Sequence, residues 1–305
     1  KHESFVFLNS NMLLASRFWQ WLPLFHLAVG FTSVSVQTRT RLVRPKAWDL
    51  HDYLTANYHK TGVYLTNKIH NTIFTILGAD GAMGALEYAC YYDTPEPLCW
   101  NTHAPILRFT DGFNASWRAS HTGSKPMLVA GAVRDPLEMV ASAYCYHHEG
   151  KELVNGFMPV AELLVLGLEP GTEFTAKYML PIVEWMASVF ADPDNATLRL
   201  TFEEFTESSE SFDASVNRLL DHYFGAGDDL ISKSERSQIR EAVKQFDTHR
   251  NPMATYNTHL SLSTNHSSDP ECKRNASKAA LKMDPILLKK YQELQRRLGY
   301  PVVAP

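Results

Sequence analysis

An apolar run, Met127-Leu128-Val129-Ala130-Gly131-Ala132-Val133, stops abruptly at Arg134, and an amphipathic stretch over residues 137–146 follows Pro136. A short apolar run bounded in this way predicts a buried strand feeding a helix, with proline in the helix's first turn. The same order occurs upstream. Residues 53–58 predict a strand, although a polar one for a buried parallel sheet. Residues 63–77 predict a helix, with Tyr64, Leu65, Ile69, Ile73 and Leu77 near helical period. Residues 106–109 and 197–200 read as further strands. Helices are expected over 160–168 and 175–190, punctuated by Pro170-Gly171 and Pro181. Two more are expected after Ser211 and Ser234, and a last one runs from Pro285 to Leu298 with Gly299 as its stop. Residues 78–84, 88–100 and 251–279 read as loops. Strands alternating with helices indicate an α/β fold: a P-loop-like central parallel β-sheet flanked by helices on both faces.

Two strand-to-helix junctions carry anion-binding chemistry. After the first strand comes His59-Lys60-Thr61-Gly62. Lys60 offers a compact positive charge and Thr61 a hydroxyl. Gly62 lets the backbone bend, so that the N–H groups through Val63 and Tyr64 can face one oxyanion. Arg134 stands where the 127–133 strand ends, the edge at which open α/β sheets bind ligands. Two such sites on neighbouring strands suit a nucleoside with phosphates at both ends.

In family order, these residues resemble the sulfotransferase superfamily, which uses 3′-phosphoadenosine 5′-phosphosulfate (PAPS). Lys60-Thr61-Gly62-Val63-Tyr64-Leu65 is similar to its 5′-phosphosulfate loop, and Arg134-Asp135-Pro136 with Ser142 to its 3′-phosphate segment. Thr102-His103-Ala104-Pro105 resembles the segment whose histidine is the catalytic base, and Phe202-Glu203-Glu204-Phe205 a segment near the adenine. The ending Leu298-Gly299-Tyr300-Pro301 fits as well, so the resemblance spans about residues 45–301. It implies a sulfotransferase that moves a sulfuryl group from PAPS to a hydroxyl or amine of a small molecule or carbohydrate. His103 and Lys60 would be catalytic. Lys60, Thr61, Gly62, Val63, Tyr64, Arg134, Ser142 and Phe202 would bind the nucleotide. The family's tryptophan after the lysine loop corresponds to Leu65, and the basic residue before Thr-His is Asn101. The Arg-Lys-Gly segment near the family's C-terminus has only Lys273-Arg274 as a substitute, which leaves the second clasp on the 3′-phosphate undefined. If His103 is not the base, Glu87, Asp93 and Glu152 are the next carboxylates to test.

Composition narrows the alternatives. A chain of 305 residues with a formal charge of −4 lacks the basic excess of a nucleic-acid binder. A P-loop nucleotide kinase would need Gly-x-x-x-x-Gly-Lys-Ser/Thr, and residues 53–59 contain no glycine. The other competing reading is a non-catalytic binding protein on the same scaffold. His147-His148-Glu149 is not His-Glu-x-x-His, and the four cysteines have no zinc-ligand spacing, so no metal is expected. Cys90 and Cys99 either close a short disulfide loop or stay as free buried thiols. Residues 1–40 read as an N-terminal leader ahead of a domain over 41–305. Arg17, the apolar 18–31 and the small-residue 32–36 follow the order of a secretory signal peptide or signal-anchor. That order, with acceptor sequons at Asn114, Asn195, Asn265 and Asn275, points to the secretory pathway and Golgi lumen; a cytoplasmic protein with 18–36 folded in is the alternative.

Overall fold

A computed structural model of the protein describes residues 44–79, 87–91, 105–121, 123–153, 157–251 and 268–302. The leader, His103, Asp93 and Asn265 lie outside the described residues. Five strands form one sheet: β1 (Asp52–Asn57), β2 (Glu87–Tyr91), β3 (Ile106–Thr110), β4 (Met127–Val133) and β5 (Thr197–Thr201). Their order is β2-β3-β1-β4-β5 and every pairing is parallel. The longer helices are α1 (Val63–Ile76), α2 (Pro136–His148), α3 (Leu168–Phe190), α4 (Ser209–Phe224), α5 (Lys233–Val243), α6 (Pro270–Ala280) and α7 (Pro285–Arg297).

Alternation along the strands divides the core into two layers. Leu54, Ala56, Val129 and Val133 pack with the apolar faces of α2, α3 and α7. Tyr53, Ala130, Ala132 and Leu200 pack with α1, α4 and α5. Both faces of the sheet are therefore covered, the arrangement an all-parallel sheet requires. No helix among the described residues is long and apolar enough to cross a membrane.

The polarity of β1 has a local cause. Asn57 is buried, but its amide donates to Asn67 at 2.8 Å and accepts from the Thr66 hydroxyl at 2.5 Å. Both partners lie on α1, so the buried amide fastens the first helix to the strand before it.

Four expectations need correction. Residues 88–91 belong to β2 rather than a loop, held by parallel pairing of Glu87–Tyr91 with β3. Residues 168–190 form one uninterrupted helix. Pro170 falls in its first turn, where the missing N–H costs nothing. Gly171 lets α2 come close, since a Cβ there would lie 2.6 Å from Tyr144 Cε2. The caps of α4 and α5 are Ser208 and Ser232, which begin these helices two or more residues earlier than the periodicity marks. Finally, the end of the 251–279 stretch is α6. Its polar sequence hides a cap by Asp269, Pro270 in the first turn, and Ala276, Ala279 and Ala280 on the buried side.

Cys145 on α2 and Cys272 on α6 form a disulfide across 127 residues, a pairing that sequence spacing did not single out. Cys90 is also disulfide-bonded.

Candidate functional site

The chain leaves β1 toward β2 on one side of the sheet, whereas β4 leads to β5 on the other. β1 and β4 are adjacent, so the connections that follow them diverge and open a crevice at their carboxyl ends. Lys60 follows β1 and Arg134 follows β4, so topology brings the two predicted anion sites together.

The turn after β1 is closed by Thr61. Its hydroxyl donates to the Tyr58 carbonyl at 2.8 Å and accepts from the Tyr58 N–H at 3.2 Å. In this state the Thr61 hydroxyl organises the loop. Gly62 caps α1 with φ of 89°, and a Cβ there would meet Phe202 Cδ2 at 2.9 Å. Glycine is thus required both by backbone conformation and by the ring above it. Val63 and Tyr64 open α1, and Tyr64 is exposed.

Lys60 also has a positive φ, 70°. Its ammonium sits 3.4 Å from the centre of the Tyr146 ring. Burial first, then the charges of Arg134, Lys151 and Lys273, push its pKa down to about 7, against a smaller opposing pull from Glu152. Arg134 donates to the Lys60 carbonyl at 3.0 Å and lies over the Phe202 ring at 4.6 Å. Its Nε is shielded and has no hydrogen-bond partner among the described residues. Asp135 caps α2 and is held by Gln295 of α7 at 2.9 Å, which fixes the start of the helix that carries Ser142. Ser142 is buried, and its carbonyl accepts from Ser268 at 3.3 Å.

The Cys145–Cys272 bridge decides what stands opposite α2. It fixes α6 along α2, and Ser277 adds a 2.7 Å hydrogen bond to Glu138. Lys273 is thereby placed beside Arg134: burial, then the Arg134 charge, lowers the Lys273 pKa. Lys60, Arg134 and Lys273 come from three distant parts of the chain, yet the Arg134 charge depresses the protonation of both lysines, and Lys273 that of Lys60. Such clustering costs free energy unless an anion completes it. Lys273 is the weak sequence match near the C-terminus, and no local pattern gave its position.

A second polar group adjoins Lys60. His59 Nε2 and His147 Nε2 are 2.9 Å apart, with the rings stacked at 15°. His147 Nδ1 faces the Glu152 carbonyl at 3.2 Å, which can only accept. Burial lowers the pKa of both histidines, that of His147 to about 4, so both are neutral near pH 7. It follows that His147 carries its proton on Nδ1 and accepts through Nε2 a hydrogen bond from His59. Ligating atoms of His59, His147 and Glu152 lie within 4.8 Å of one another. This chain engages both imidazoles, while the Glu152 carboxylate stands 3.9 Å from His147 Nδ1, and the adjacent Lys60 charge opposes a bound cation. Glu87, by contrast, begins β2 and so stands at the amino edge of the sheet, away from the Lys60 loop.

No protein-family model matches the chain, and no curated protein matches it. Among solved structures it is similar to retinol dehydratase in complex with androsterone and inactive cofactor PAP: 13% identity over 86% of this chain and 84% of that one, TM-score 0.44. Retinol dehydratase with retinol and PAP gives the same figures. Mouse sulfotransferase SULT7A1 complexed with PAP gives 12% identity over 84% and 85% of the two chains, TM-score 0.41.

Proposed function

We propose that the chain is a PAPS-dependent sulfotransferase that transfers a sulfuryl group to a hydroxyl or amine of a small molecule or carbohydrate. The observation that carries this reading is the convergence of Lys60, Arg134 and Lys273 on the crevice between β1 and β4. Sulfuryl transfer needs alignment and stabilisation of charge on the bridging and leaving oxygens. Lys60 and the N–H groups from Thr61 to Tyr64 would take the 5′-phosphosulfate. Arg134, Ser142 and Lys273 would take the 3′-phosphate. The Phe202 ring, already beneath Arg134, would cover the adenine in place of the tryptophan that Leu65 replaces. His103 is the base that the sequence resemblance implies.

The bridge between Cys145 and Cys272 and the exposed sequons at Asn195 and Asn275 favour an oxidising compartment, hence a secretory or Golgi location. The Asn114 side chain instead caps a short helix, accepting from Ser116 and Trp117.

A thermal-shift panel tests the reading. At 100 times its dissociation constant, 3′,5′-bisphosphoadenosine should stabilise the protein by about 2.7 kcal/mol. Stabilisation by ATP but not by the bisphosphate would indicate a kinase. A response to neither would indicate a plain binding module.

A further inference from the structure

We propose that Asp111 is the general base of the transfer, in the role that sequence resemblance gives to His103. The inference rests on the sulfotransferase reading. β3 runs parallel to β1, with Thr110 in register with Asn57. The next residue, Asp111, therefore leaves the sheet at the same carboxyl edge as the Lys60 loop. β3 starts at Ile106, immediately after Thr102-His103-Ala104-Pro105. A five-residue strand spans about 16 Å. Topology thus delivers the residue after β3, rather than its amino end, to the crevice.

The carboxylate is held tightly. The Asp111 N–H donates to the Asn57 carbonyl at 2.9 Å, and the backbone N–H of His59, the residue before Lys60, faces its side chain and favours the charged form. Its φ is 63°, a conformation that costs a non-glycine residue energy and that clusters at functional sites. Oδ1 is shielded and has no hydrogen-bond partner among the described residues. A buried carboxylate oxygen left without a donor needs one, and an acceptor O–H or N–H supplies it.

The charged and titratable groups facing Asp111 are Lys60, from the loop after β1, Tyr58 at the end of β1, and Glu152, beyond α2. Burial raises the Asp111 pKa to about 7 and Glu152 adds to the rise, whereas the His59 N–H and Lys60 oppose it. A base poised there exchanges protons readily near neutral pH. In the step itself, the acceptor O–H bond breaks and its proton passes to Asp111 Oδ1. The acceptor oxygen forms the new bond to sulfur. The bond from sulfur to the phosphate oxygen breaks, and its electron pair leaves with 3′,5′-bisphosphoadenosine beside Lys60. Asp111 ends neutral, the form its burial favours.

The test uses the full chain with ³⁵S-labelled PAPS, a panel of a phenol, a steroid alcohol, a monosaccharide and an amine, and water as acceptor in the background hydrolysis. Asp111→Asn keeps the shape and suits the positive φ. It should lower turnover by roughly 10² or more while the dissociation constant for 3′,5′-bisphosphoadenosine changes less than about twofold. The wild-type rate should rise with pH through about 7, and this limb should vanish in the variant. Asp111→Gly with added formate should recover part of the rate, a rescue that a purely structural role would not give. An Asp111→Asn enzyme with the wild-type rate and pH limb, or a 10²-fold loss seen only in His103→Ala, overturns the assignment. A wild-type protein that fails to bind the bisphosphate and releases no label overturns the sulfotransferase reading instead.

Discussion

Removing the bridge with Cys145→Ser and Cys272→Ser should damage stability and nucleotide binding together. A cross-link spanning 127 residues restricts the unfolded chain by about 5 kcal/mol in the chain-entropy treatment, and losing a native bridge commonly costs roughly 2–5 kcal/mol. The lower half of that range is expected, because Ser277–Glu138 and Ser268–Ser142 still tie α6 and the residues before it to α2. Those ties lie at either side of Lys273, whereas the bridge holds its immediate neighbour Cys272, so without the bridge Lys273 is no longer fixed beside Arg134. A charge-assisted hydrogen bond is worth about 1.5–3 kcal/mol, so affinity for 3′,5′-bisphosphoadenosine should fall roughly tenfold or more. Adenosine 5′-phosphate, which lacks the 3′-group, should lose much less. Urea unfolding gives the first quantity and calorimetry the second. Lys273→Ala in the bridged protein should reproduce the affinity loss with little change in stability, and should add nothing once the bridge is gone. A bridge-free protein that is less stable but binds both nucleotides normally would refute the placement of Lys273 in the site.

Arg134→Ala should weaken 3′,5′-bisphosphoadenosine about tenfold or more and adenosine 5′-phosphate far less; equal losses by calorimetry would assign Arg134 to the other end of the nucleotide. Gly62→Ala should destabilise by about 1–2 kcal/mol, because it places a Cβ at positive φ and against Phe202, and urea titration with Phe202→Leu as a partially relieving second change checks the cause. Binding should take up protons: free Lys60 titrates near 7, an anion raises that pKa toward its usual value, and affinity should therefore fall as pH rises from about 7 to 10. Calorimetry in buffers of different ionisation enthalpy reads this directly, and no buffer dependence at pH 8 would mean that the Lys60 ammonium does not meet the anion.

Much of this protein is written locally. The apolar run ending at Arg134 made β4, and Pro136 beside Asp135 began α2, because a buried strand and a proline-led helix need only neighbouring residues to declare themselves. Gly62 carried its own signal for the same reason, since positive φ is a property of one residue. Where a pattern depends on distant partners, the sequence was silent or misleading. Asn57 made β1 look too polar, yet α1 satisfies its amide. Polar residues near 270 looked like loop, yet α6 buries three alanines and a bridge to α2. Asp111 lies just past the 106–109 strand with no motif to mark it, and only the register of β3 against β1 sets that carboxyl beside the Lys60 loop. Local sequence thus determined the elements and the anion-binding loops. Which cations meet, and which carboxylate stands beside Lys60, was decided by strand order and by the bridge, because charge coupling acts through space between residues that the chain keeps far apart.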